Sequence, residues 1–391
     1  MSPISSVGEI LQHCRNKIMI IDTVLFQLNG IEIKEKYLMR FKTLIKSDSI
    51  WKLVFNSDKG IECYTPNITI TKLKSINGGW YTERIEIQFS APMIINETNY
   101  FGIDEQEREI VMDVLFKKLC RIFDGQPLSK NHLMWADLRI IAFAFNLILS
   151  DKSGYPIEFL KMIPLLDMGK NYRGLKANYY DQDAIGFCVR IFNKQASLRA
   201  YDKGVQIINT AKTTKEKEIA SKIKQRLLPD KVLRIEVTYQ NRTALKKHLA
   251  TKIDGDPKKE RHLMEIFNNK LCQSILLEAF DELFNSLDIQ ALDFPLYSPN
   301  EAYKIAKKAG LSQYDAWALI GRSAIVTQAG SLQLKLISDN HYDRRDRSRN
   351  DKKLTKIITA HPLPSFTLKQ VITECRKQLV EFNVMKLNDY D

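Results

Sequence analysis

The chain has no pair of cysteines at CxxC spacing, no HxH or HExxH pair of histidines, and no apolar run approaching a membrane span. Its six cysteines, at 14, 63, 120, 188, 272 and 375, are scattered, so they read as reduced, mostly buried thiols and not as a disulfide or zinc framework. The six histidines are equally dispersed, which leaves nothing to support a histidine-built zinc or manganese site. No secretory leader pattern is visible, and a cytoplasmic location is expected. Acidic residues are in deficit: 46 against 59 Lys and Arg give a net charge of +13. That excess favours a polyanionic partner, since phosphate contacts release counterions. An acidic membrane surface would satisfy the same signal.

What is present is ordinary globular material, 44% hydrophobic and 27% charged over 391 residues, enough for two domains. A polar extension is expected over 1–18, then an α+β domain over 19–255 with a mainly antiparallel sheet covered by helices, then a mostly helical domain over 256–391. Apolar and β-branched runs predict strands at Met19–Leu28, Trp51–Phe55, Ile68–Leu73, Thr82–Ser90, Leu138–Leu149 and Val232–Tyr239. Two more strands flank Asn193-Lys194, the second carrying Tyr201. Helical spacing covers Asp104–Phe123 and Lys212–Arg226. One long helix is predicted over Arg261–Leu287, with shorter ones at Asn300–Ala309, Gln313–Gly321 and Thr367–Glu381. The last two short helices before Arg322 suggest a weak helix-turn-helix pattern.

Three strands carry a polar face. Alternation puts Arg84, Glu86 and Gln88 opposite Ile85, Ile87 and Phe89. It likewise groups Arg234, Glu236 and Thr238, and Arg199, Tyr201 and Lys203. A phenol among carboxylates and cations suits attack on a backbone phosphate, which would leave a covalent phosphotyrosine and a free 3′-hydroxyl. Glu86 and Glu236 are hard oxygen ligands that suit Mg²⁺ or Mn²⁺, and such an ion would stabilise phosphoryl charge. Lys203 or Arg199 could hold the phosphate or favour the phenolate. The same pattern also describes any half-solvated strand, with Arg and Glu as cross-strand partners and Tyr201 packed. Asp22, inside the first strand, reads as a strand-end cap, with a ligand role as the alternative. Arg344, Arg345, Arg347, Arg349, Lys352 and Lys353 form a basic run that suits DNA phosphates, although Asp346 and Asp351 interrupt it.

The order of these segments is similar to that of the gene II replication proteins of filamentous phages and related rolling-circle initiators. MIIDTVLFQL resembles that family's first strand, Arg84-Ile-Glu-Ile-Gln-Phe-Ser-Ala-Pro92 its acidic strand, and Val232-Leu-Arg-Ile-Glu-Val237 the strand after its nicking tyrosine. Ala196-Ser-Leu-Arg-Ala-Tyr-Asp-Lys-Gly-Val-Gln206 falls where that tyrosine lies and maps it to Tyr201. The resemblance implies a rolling-circle nuclease-like fold and a nickase that attacks with Tyr201, assisted by Lys203, and later rejoins the displaced strand. It also implies Mg²⁺ or Mn²⁺, double-stranded origin DNA, single-stranded DNA, and a host helicase and polymerase as partners. Arg199 and Arg234 would join the basic run in binding DNA. One departure stands out: the central strand Leu138–Phe145 lacks the histidines or acid that many initiators use. Either metal binding relies on Glu86 and Glu236, or the nuclease is degenerate. A non-catalytic origin-binding or regulatory protein on this scaffold, and a relaxase or transposase, are the alternatives.

Overall fold

A computed structural model describes residues 20–55, 64–103, 105–123, 128–150, 156–162, 176–182, 186–192, 195–284, 299–321, 324 and 368–381. The first part lays down β1 (Ile20–Leu28), β2 (Lys42–Lys46), β3 (Ile50–Phe55), β4 (Asn67–Lys74) and β5 (Trp80–Phe89). Helices α1 (Ala91–Asn96), α2 (Arg108–Ile122) and α3 (Lys130–Met134) then lead to β6 (Asp137–Ile148) and α4 (Pro156–Met162). Next come β7 (Lys176–Gln182), β8 (Gly186–Phe192), β9 (Ala196–Asp202), α5 (Lys203–Thr210), α6 (Thr214–Lys224) and β10 (Val232–Tyr239). The described residues after β10 are mainly helical: α7 (Arg242–Ile253), α8 (Asn269–Phe284), α9 (Pro299–Lys308), a segment at 313–321, and α10 (Leu368–Glu381).

The architecture is α+β. Ten strands make one sheet in the order β2-β3-β4-β5-β1-β6-β10-β9-β8-β7, and each neighbouring pair is antiparallel. One face is apolar because alternation puts Ile85, Ile87 and Phe89, each 0% exposed, on the same side as Val24, Phe26, Phe143 and Phe145. Val111 and Leu115 of α2, Leu245 and Leu249 of α7, Leu271 and Ile275 of α8, and Val371 and Leu379 of α10 complete that core.

Three expectations are corrected here. The long helix over 261–287 is broken: a 3₁₀ turn at Leu263–Ile266 precedes α8. Asn268 restarts the helix by accepting from the Leu271 amide at 2.9 Å, as helix N-caps do. The boundary at 255 does not separate two cores, since α8 and α10 cover the same sheet as α2 and α7. Among the described residues beyond 255, only 299–321 has a cluster of its own, built on Ala302, Ile305, Ala306 and Leu319. Finally, β2 and β7 were not expected; β2 is exposed along its whole length, so no buried apolar stripe marks it.

The second face of the sheet is open near β5 but closed at the start of β10. Val232, Arg234 and Glu236 share this face, and all are buried. Tyr100 and Phe101 pack there with Ile207 of α5 and Ile219 and Ile223 of α6. Strand β10 was expected to be half-solvated; it is covered on both sides.

Candidate functional site

Strands β9 and β10 lie side by side with Tyr201 opposite Arg234 and Arg199 opposite Glu236. This register puts all four side chains on the second face. The Tyr201 hydroxyl donates to Glu236 Oε1 at 2.6 Å, and Arg234 Nε donates to the same oxygen at 2.8 Å. Arg234 is 0% exposed. Its Nη1 donates to the Asn99 carbonyl at 2.8 Å and to Asn146 Oδ1 at 3.3 Å, while Nη2 pairs with Asp22 Oδ1 at 2.7 Å.

Asp22 reaches this point because β1 shifts register against β6 between Ile21 and Thr23. Such an irregularity re-aims one side chain. Asp22 is therefore no strand-end cap: it is a counterion of Arg234, and it also accepts from Asn99 Nδ2 at 2.9 Å. Burial pushes its carboxyl up, but Arg234, Lys203 and Arg199 outweigh this and hold it below the usual carboxylate range.

Lys203 was expected to continue the polar face of β9. The strand instead ends at Asp202, which caps α5 by accepting from the Val205 amide at 3.0 Å, and Lys203 opens the helix. Its ammonium is fully buried and donates to Asn99 Oδ1 at 2.6 Å and Gln206 Oε1 at 2.7 Å. Burial, and then the neighbouring Arg234 charge, bring its pKa down to about 7. So Lys203 stays near the Tyr201 ring, 5.9 Å from its centroid, but it braces the loop at Asn99 and is not placed to clasp a phosphate.

Tyr201 is only 4% exposed. Burial, followed by the Glu236 charge, pushes its phenol well above the ordinary value. Arg199 covers it, with the guanidinium 5.0 Å from the ring centroid and Nη1 3.9 Å from Glu236 Oε2. Arg199 also donates to Cys188 Sγ at 3.3 Å and keeps 38% of its own side chain exposed. It is the solvent-facing member of the group.

Glu86 is elsewhere. It pairs across β5 and β1 with Gln27, which faces Asp137 on β6, whereas Glu236 faces Ala144 on β6. Seven residues of β6 and three strand steps intervene. At ~3.3 Å per residue and ~4.8 Å per step, the carboxylates stand roughly 20 Å or more apart. Ligands of one Mg²⁺ each lie within about 2.1 Å of it, so these two cannot share an ion. Glu236 alone does not fit a divalent cation either, because its carboxylate already faces two guanidinium groups and the phenol. Among the described residues no group of three or more His, Cys, Asp or Glu is placed to hold a metal.

Around Glu86 the open face forms a cleft of about 380 Å³. It is lined by Gln27, Arg84, Glu86, Arg139, Gln240 and Arg242. The Nε atoms of Arg84 and Arg139 are buried there without a hydrogen-bond acceptor. Burial and the charge of Arg242 hold the Arg139 pKa below its usual value.

Sequence reasoning missed Asn99, Asn146 and Gln206. Asn99 belongs to an irregular segment with no motif to flag it. Asn146 was legible in one respect, as the polar residue that interrupts the apolar run of β6. The basic run from Arg344 to Lys353 lies outside the described residues. Among the described residues no helix is long and apolar enough to cross a membrane. No protein-family model and no curated protein matches this chain.

Proposed function

We propose that the protein nicks one strand of DNA by attack of the Tyr201 hydroxyl on a backbone phosphate, as a rolling-circle initiator would, and later rejoins the displaced strand. The observation that carries this reading is the 2.6 Å hydrogen bond from Tyr201 to Glu236, with Arg234 holding the carboxylate. A nucleophile, a proton acceptor and a group that orients the acceptor are the parts that activated hydroxyls need. Because the phenol resists ionisation, its proton passes to Glu236 as the oxygen–phosphorus bond forms. The 3′ oxygen leaves with the electron pair of its bond to phosphorus and takes a proton from water. Arg199, exposed above the ring, meets the phosphate first; pairing with it draws the guanidinium off the phenol and neutralises developing charge. Glu236 is thus a general base and Arg199 an electrophilic clamp. The cleft at Arg84, Arg139 and Arg242 lies on the same side of the sheet, where the face is open, and would seat phosphates farther along the strand.

The 4% exposure of Tyr201 favours a second reading, a non-catalytic DNA-binding protein in which Tyr201 and Glu236 are structural. Supercoiled plasmid carrying a candidate origin, in magnesium or manganese buffer, separates the two. Nicking predicts an open circle and a protein–DNA adduct that survives denaturant, with both lost in Tyr201→Phe. An adduct formed by Tyr201→Phe would sink the assignment, and binding without any adduct selects the second reading.

A further inference from the structure

Residues 299–321 carry a small hydrophobic cluster of their own, distinct from the core of the sheet. Helix α9 buries Ala302, Ile305 and Ala306 on one side, and Leu319 of the following segment closes on them. Between the helices, Gly310 takes a left-handed φ of 60°, and the Leu311 amide donates back to the Ala306 carbonyl at 3.1 Å. A glycine is what such a turn requires. Ser312 then starts the second helix: its hydroxyl accepts from the Asp315 amide at 3.2 Å and donates to Asp315 Oδ2 at 2.8 Å. Two short helices joined by a four-residue turn with glycine, over a small core of alanine and branched residues, make a helix-turn-helix.

The outward side chains of this unit are unlike an ordinary solvated face. Tyr314 is 75% exposed and Trp317 68%, and Gln313 is exposed beside them. The i, i+3, i+4 spacing puts all three on one side of the second helix. On α9 the exposed side carries Lys304, Lys307 and Lys308, none of which forms an ion pair among the described residues. The one carboxylate of the second helix, Asp315, is turned back onto its own cap. A cationic first helix beside an aromatic and amide-bearing second helix is complementary to a duplex groove: lysines meet phosphates, and Gln, Tyr and Trp meet base edges and thymine methyls.

We propose that residues 299–321 dock on duplex DNA, with helix 313–321 in the major groove and Lys304, Lys307 and Lys308 on the flanking phosphates. This deepens the DNA reading by giving the duplex a seat separate from the tyrosine, and it stands or falls independently of nicking.

The test uses the full chain and random-sequence duplexes about three helical turns long, from which bound sequences are selected and then measured by fluorescence anisotropy. Gln313→Ala with Trp317→Ala should weaken the selected duplex about tenfold or more while leaving random duplex nearly unchanged. Lys307→Gln with Lys308→Gln should weaken both and lower the salt dependence by about one phosphate contact per lysine. Far-ultraviolet dichroism and the unfolding midpoint should stay unchanged, since these side chains lie outside the core. Parent-like binding by both double variants would overturn the proposal, as would a loss confined to single-stranded DNA.

Discussion

Arg234 is a guanidinium with no exposed surface, and two carboxylates make that tolerable. Removing one partner of a buried pair typically costs about 3–5 kcal/mol, because the remaining charge stays desolvated. Asp22→Asn should therefore destabilise the protein by about 3 kcal/mol at neutral pH, read as a lower urea midpoint. The sign with pH follows from the depressed Asp22 pKa: its contribution is present above the unfolded carboxylate range and is lost as pH falls through the lower folded value. The gap between parent and variant should accordingly close in acid. Tyr201 and Glu236 were legible from alternation and segment order, because β-strand period places residues by counting. Asp22 was not, because its role depends on a register shift between β1 and β6 that one strand's sequence does not encode.

At the scale of elements, the segment Tyr201-Asp202-Lys203-Gly204 has a structural reason for each member after the tyrosine. Asp202 ends the strand and caps α5, Lys203 braces Asn99, and Gly204 lets the helix approach the chain just before β10. A Cβ at 204 would collide with the Asp230 carbonyl oxygen, a backbone atom that cannot swing aside. Gly204→Ala should destabilise by about 1–3 kcal/mol, visible as a lower urea midpoint. Asp202 behaves oppositely to Asp22: burial raises its pKa from the usual carboxylate range to about 6. A raised acid contributes its stability below the unfolded pKa and loses it as pH rises through about 6. Asn keeps the cap without the buried charge. Asp202→Asn should thus be more stable than the parent at pH 7, by about 2–3 kcal/mol, with the advantage gone near pH 4. Strand β10 coincides with its expected limits because an apolar run bounded by polar turns is unambiguous. Helix α8 does not, since an apolar stripe continues through a capped break that only Asn268 marks.

Across the whole molecule, the C-terminal helices α8 and α10 belong to the sheet. Gln378 of α10 donates to the Ile148 carbonyl at 2.6 Å and accepts from the Ile148 amide at 3.0 Å, finishing the end of β6. Val371, Cys375 and Leu379 are buried beneath it. A chain stopped before 368 would expose these contacts, each worth about 1.5–3 kcal/mol per large side chain. Such a chain should bind a hydrophobic dye and unfold at markedly lower urea. The antiparallel, helix-covered plan was legible from hydrophobic period alone, whereas the division into two domains was not. An amphipathic helix has the same pattern whether it covers its own partners or a distant sheet.

The sheet order also bears on how the protein is made. Strand β6 sits between β1, which precedes it, and β10, which leaves the ribosome some eighty residues later. During that interval its apolar flank has a partner on one side only, and an unpaired edge of that kind invites pairing with other chains. The growing polypeptide is therefore most vulnerable to aggregation midway through synthesis, and the strand that completes the tyrosine site is also the one that ends the hazard.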